Sequence, residues 1–246
     1  MTAPLHDAAL DLLLGSSCVG CGRAGRLLCA GCRDALPTTA YLAWPTPTPP
    51  GLVPPFATGA YDATLRSLVL GLKEHRLLAL SRPLGLLLAR SVVALLEATE
   101  PVGRVVLVPV PSRSASVRAR ALDSTWVITG LAARTLRAGG HDAVAHRLLV
   151  TRPGVVDQAG LDAAARQANL AGSMTCPTPA LRRLARRSPR ASIVLCDDVV
   201  TTGATAREAQ RALAAVGLSP LGVAAVAATR KRHTGGSQDT LRDLYG

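Results

Sequence analysis

The chain has 246 residues, 48% of them hydrophobic, which suits one full α/β domain with a small appendage and a large core. Only six residues are aromatic (Trp44, Trp126, Tyr41, Tyr61, Tyr245 and Phe56), so that core must be built mainly of Leu, Val and Ala. A net charge of +12 points to polyanionic partners such as phosphorylated metabolites, nucleic acid or acidic lipid, or else to a solvated Arg-rich surface.

The start, "MTAPLHDAALDLLLGSSC", has no basic n-region and places Asp7 and Asp11 within its apolar stretch, so it is not read as a leader. The most apolar helical stretch, 84–96, is interrupted by Arg90 and is shorter than a membrane span. The expectation is a cytoplasmic protein without membrane insertion, in a compartment where clustered thiols favour metal over disulfides.

"CVGCGRAGRLLCAGC" then gives Cys-x2-Cys, seven residues, and Cys-x2-Cys again. Each pair is a tight turn aiming two sulfurs at one point. Cys18, Cys21, Cys29 and Cys32 are therefore expected to form a closed, structural Zn²⁺ site, the alternative being four unligated core cysteines. "LAWPTPTPPGLVPP" follows, with seven prolines when Pro37 is counted. It cannot be helix or central strand and reads as a semi-rigid spacer. The expected organisation is a zinc module over 1–40, a linker over 41–55 and an α/β domain over 56–246.

Past the spacer, apolar strands alternate with helices. Helix is expected over 84–97, strand over 104–111, largely helix over 116–138, strand over 145–150 and a short helix over 162–170. Strand over 192–196, helix over 204–216 ended by Gly217, and strand over 221–228 complete the series. This pattern predicts a parallel sheet covered by helices on both faces, with ligands bound beyond the carboxyl ends of the strands.

At one such end lies "IVLCDDVVTTGAT". Two adjacent acids repel unless a metal, a cation or a polyhydroxylated ligand compensates them. After Asp197 and Asp198, the run Thr201, Thr202, Gly203, Ala204, Thr205 leads straight into a helix, where unpaired amides and the helix dipole favour a phosphate. The carboxylates suit a vicinal diol one ribose away, so the combination describes a phosphorylated ribose. No lysine follows Gly203 as a Walker loop requires, and the glycine is solitary, unlike a dinucleotide fingerprint.

"VLCDDVVTTGAT" resembles the phosphoribosyl-pyrophosphate (PRPP) motif of type I phosphoribosyltransferases. The whole chain resembles the ComF family, in which a cysteine module precedes such a domain. The cysteine quartet, "LVLGLKEHR" with Lys73, "LVPVPSR" and "DQAGLDAAARQANLAG" with Gln158, Arg166 and Asn169 occur in the family's order. The resemblance implies a type I phosphoribosyltransferase fold and a site that binds PRPP. In it Asp197 and Asp198 would hold the ribose hydroxyls, Thr201–Thr205 the 5′-phosphate, and the turn 110–113 the pyrophosphate with Mg²⁺. Arg113, Arg118 or Arg120 would add charge, unless they belong to a solvated helix face. The chain departs from the family in carrying "RARALDS" where an Arg-Gly-Phe-Asn-Gln-like run is typical. Thr201 also stands where purine phosphoribosyltransferases often place an aspartate, which disfavours purine salvage by that route. Three functions remain open: a phosphoribosyltransferase, a non-catalytic PRPP-binding protein, or an accessory of DNA uptake in transformation. The last would contact single-stranded DNA or its machinery, with "LRRLARRSPR" and "RKRH" as basic clusters.

Overall fold

The computed structural model describes residues 17–111, 123–152 and 172–229. Six α-helices are formed among them: α1 (Ala30–Asp34), α2 (Ala63–Lys73), α3 (Ser81–Glu97), α4 (Ser124–Ala138), α5 (Thr178–Arg187) and α6 (Ala204–Ala214). The strands are β1 (Tyr41–Leu42), β2 (Pro55–Ala60), β3 (Arg104–Pro109), β4 (Ala143–Ala145), β5 (Val150–Thr151), β6 (Met174–Thr175), β7 (Ala191–Val200) and β8 (Pro220–Ala228). The expected helix over 162–170, the residues Gln158, Arg166, Asn169, Arg113, Arg118 and Arg120, and the "RKRH" cluster lie outside the described residues.

Six strands form one sheet in the order β1-β2-β8-β7-β3-β4, parallel throughout except for the antiparallel edge strand β1. β5 and β6 pair separately as an antiparallel two-stranded sheet. The run "GVAAVAA" of β8 is buried along its whole length, as expected of a strand covered on both faces. On one face, leucines of α2 and α3 (Leu65, Leu68, Leu72, Leu87, Leu88, Leu95) join Ile128 and Leu136 of α4 over Val194, Cys196, Ala224 and Val226. On the other, Ala206, Ala209 and Ala212 of α6, together with Leu184 of α5, lie over Ile193, Leu195, Val223 and Ala225.

The proline-rich segment, expected to be a spacer, is part of the packed structure. β1 pairs with β2 through Tyr41 and Leu42, and Ala43 and Leu52 enter the core on the α6 face. The Arg207 guanidinium donates to the Pro50 carbonyl at 2.9 Å, Gln210 Nε2 to the Gly51 carbonyl at 2.9 Å, and the Val53 amide to Gln210 Oε1 at 3.1 Å. Proline-rich backbone has few amides of its own to satisfy, so side chains from α6 can fasten it through its carbonyls. It becomes a strap over the β2–β8 side of the sheet.

The strand expected over 145–150 is a second difference. β4 ends at Ala145, because it pairs with only three residues of β3, and His146 donates its amide to the Leu107 carbonyl. Leu148 and Leu149 are buried without being strand. The span Leu78–Glu97 is long and apolar enough to cross a membrane by length and composition alone. Over half of its most apolar window is buried inside the fold, so it is a core helix.

Candidate functional site

β3 leads through α4 to β4 on one side, whereas β7 leads through α6 to β8 on the other. The boundary between β3 and β7 is therefore the point where successive connections diverge, and in such sheets ligands sit beyond the strand ends at that point. The pairing of β3 with β7 stops at Pro109 opposite Cys196. β7 continues beside β8 alone, with Asp197 opposite Ala225 and Val200 opposite Ala228. The strand expected over 192–196 thus runs four residues further and contains both acids.

Alternation along β7 sends Asp198 to the face carrying Val194 and Cys196, which α2 covers. There Lys73, the last residue of α2, donates to Asp198 Oδ2 at 2.9 Å. Asp198 Oδ1 accepts the Val199 amide at 2.8 Å. Asp197 is half-buried, and its Oδ1 accepts the Asp198 amide at 2.8 Å.

The two acids differ in charge balance. Burial pushes the Asp197 pKa well above the usual carboxylate range, and the negative charge of Asp198 adds to it; Lys73 and the Asp198 amide offset only part. Burial alone would lower the Lys73 pKa, but Asp198, followed by Asp197 and Tyr61, outweighs it, so the ammonium is held charged. The ion pair with Lys73 compensates this carboxylate at a nearly buried position.

The turn after β7 places Thr201 and Thr202 at the surface and Gly203 at the N-cap of α6, with a φ of 72°. Ala204 and Thr205 are half-buried in the first helical turn. Thr202 Oγ1 accepts the Ala204 amide over a long 3.4 Å, and the next amides of the turn are those an α-helix leaves without an intrahelical acceptor. Gly203, with its left-handed backbone, sits at the corner of this turn. In the fold its bare Cα faces the strap: a Cβ there would lie 2.9 Å from Leu52 Cδ2 and 3.0 Å from Pro45 Cγ. The turn is thus held from behind by the strap, and only the amide and hydroxyl side is left to meet a ligand.

The four cysteines of the N-terminal turns converge, with their Sγ atoms all within 4.8 Å of one another. Cys21 Sγ and Cys29 Sγ are 3.7 Å apart, close to the ~3.8 Å edge of a tetrahedron with Zn–S bonds of about 2.3 Å. Amides support the thiolates: Cys29 N donates to Cys18 Sγ and Cys32 N to Cys29 Sγ. Burial would raise the Cys18 pKa, but the backbone amides of Cys29, Cys21 and Gly20 lower it to about 6, whereas hydrogen bonds with Cys29, Cys21 and Cys18 push the Cys32 thiol up to about 12, so without metal the four sulfurs share their protons unequally. These residues can hold a zinc ion. Cys18 and Leu28 share one buried cluster with Leu65 and Leu68 of α2, so the module is continuous with the core rather than separate from it.

Sequence reasoning named Lys73 only as part of a motif and missed its pairing, which spans 125 residues of chain. No protein-family model matches the chain, and no curated protein matches it.

Proposed function

We propose that the crevice at the end of β7 binds PRPP or a related ribose phosphate, within a domain of type I phosphoribosyltransferase fold. The observation that carries this reading is the nearly buried Asp198, paired with Lys73, standing three residues before a threonine-rich turn that caps α6, at the divergence point of the sheet. Asp198, paired with Lys73, would be the main hydrogen-bond acceptor for a diol, with Asp197 next to it on the strand, while Thr201, Thr202 and the first-turn amides through Thr205 would take the 5′-phosphate. The resemblance to the ComF family supports the same assignment.

The protein is read as a phosphoribosyltransferase whose acceptor is undefined. The site would hold the ribose and its 5′-phosphate in place, so that an acceptor nucleophile forms its bond to the anomeric carbon as the bond to the departing diphosphate breaks. Among the described residues, only the cysteines bring three or more potential metal ligands together. When bound, Mg²⁺ would supply Lewis-acid stabilisation of the departing diphosphate. A thermal-shift screen with PRPP, ribose 5-phosphate and pyrophosphate, each with and without Mg²⁺, tests the reading. Stabilisation by PRPP above that by pyrophosphate is expected, and equal response to the two would reject a ribose site.

One observation favours a second reading, a DNA-uptake accessory that contacts single-stranded DNA. α5 exposes Arg182, Arg183, Arg186 and Arg187 together, with Arg190 just beyond. Such a surface would engage phosphates without reading sequence.

A further inference from the structure

The cysteines of the N-terminal cluster are unequal in exposure. Cys18 is 2% exposed within the core, Cys29 and Cys32 are half-buried, and Cys21 is exposed. Cys21 stands between Gly20 and Gly22, and a side chain at Gly22 would meet nothing within 4 Å, so this side of the cluster is open to solvent. The Cys18 and Cys29 sulfurs each accept a backbone amide, from Cys29 and Cys32 respectively. Cys21 Sγ lies against Cys29 Sγ at 3.7 Å. The two cysteines outside the cluster, Cys176 and Cys196, are buried, and burial raises both thiols so that they stay protonated.

Resting on the zinc reading of this cluster, we propose that Cys21 is a redox modification site: hydrogen peroxide oxidises it, Cys29 closes a disulfide with it, and the zinc is released. A ligating thiolate is still a nucleophile, and oxidation selects the accessible one. The Cys21 sulfur attacks one peroxide oxygen, the O–O bond breaks and hydroxide leaves, giving the sulfenic acid. The Cys29 thiolate then attacks that sulfur, and the S–O bond breaks with loss of a second hydroxide. Each thiolate has given up one electron, and the peroxide has been reduced to two hydroxides that solvent protonates to water. The two sulfurs close from 3.7 Å to about 2 Å, a movement that the glycines flanking Cys21 can absorb. Zinc then keeps only Cys18 and Cys32, half the ligands of a closed structural site. Because Cys18 and Leu28 pack with Leu65 and Leu68 of α2, release of the metal loosens the module from the core. A dithiol reductant with added zinc reverses the change.

The test treats the zinc-loaded full chain with hydrogen peroxide. A chromogenic chelator follows zinc release, peptide mass mapping places the disulfide, and melting is recorded before and after. Release in step with a Cys21–Cys29 disulfide, a lower melting temperature, and recovery on adding dithiothreitol and zinc are expected. Cys21→His keeps a ligand that zinc accepts but cannot form the disulfide, so release should slow about ten-fold or more. Cys32→His leaves Cys21 and Cys29 in place and should release zinc near the wild-type rate. If either variant fails to fold or to hold zinc, the wild-type mass map decides alone. A first oxidation placed on any other cysteine, an unchanged rate in Cys21→His, equal slowing in both variants, or zinc retained under excess peroxide overturns the proposal and leaves the zinc site intact. A wild-type chain that takes up no zinc overturns the site, and the modification with it.

Discussion

Lys73 and Asp198, 125 residues apart in the chain, meet at 2.9 Å where α2 ends and β7 emerges from the sheet. One lysine faces two adjacent acids, so their charges cannot be balanced equally. Asp198 receives the cation, and Asp197 is left with burial and a like-charged neighbour, which raise its pKa well above the usual carboxylate range.

That asymmetry fixes a pH dependence. Below the unfolded value, about 4, Asp197 holds its proton in both states and contributes nothing. Between that value and the raised folded value, the folded chain binds the extra proton, so stability is lost as pH rises through the window. Replacing Asp197 by Asn removes the cost. The variant should melt a few degrees above wild type at pH 7–8, with the difference closing toward pH 4. A difference independent of pH would contradict this account.

Gly203 supplies a second expectation. Its positive φ and the nearness of Leu52 and Pro45 leave no room for a side chain. Gly203→Val should cost about 1–3 kcal/mol from backbone strain alone, with displacement of the strap in addition. Thermal melting would read this as a drop of at least several degrees, together with faster proteolysis within the proline-rich segment. A variant with wild-type melting would show that the strap does not bear on the turn.

The regular part of the fold was legible because its strands are continuous apolar runs and its helices end at clear stops. The helix expected over 84–97 is Ser81–Glu97, that over 204–216 is Ala204–Ala214, and the strand over 221–228 is Pro220–Ala228. Periodicity failed where burial and hydrogen bonding part company: Leu148 and Leu149 are core residues on irregular backbone. The strap was hidden for a related reason. Proline content excludes helix, but says nothing about whether Arg207 and Gln210 will bind the exposed carbonyls. In the site, the acids and threonines announced themselves as a local motif. Lys73 did not, because its role depends on a contact that only the tertiary fold creates.

For the cysteine cluster, protein purified without chelator should contain about one zinc per chain, as a single four-thiolate site requires. Cys18→Ser should lose it. Because Cys18 and Leu28 belong to the same buried cluster as α2, removal of zinc should lower the melting temperature of the chain as a whole. A metal-free protein with unchanged melting would reject the site.

If the arginines of α5 engage nucleic acid, binding to single strands should weaken steeply with salt and show little sequence preference. Changing Arg182, Arg183, Arg186 and Arg187 to Gln should flatten the salt slope by up to about three in log–log terms for a single strand. Retention of the full slope would place any DNA contact elsewhere.

The central claim is that the end of β7 and the start of α6 bind a phosphorylated ribose, and calorimetric titration with PRPP and Mg²⁺ tests it most directly. Wild type should bind at one site per chain. Asp198→Asn keeps the shape of the side chain but loses its charge, weakening hydrogen bonds worth roughly 1.5–3 kcal/mol, so affinity should fall about ten- to a hundred-fold. Equal affinity in the two proteins, or no binding by wild type, would contradict the assignment.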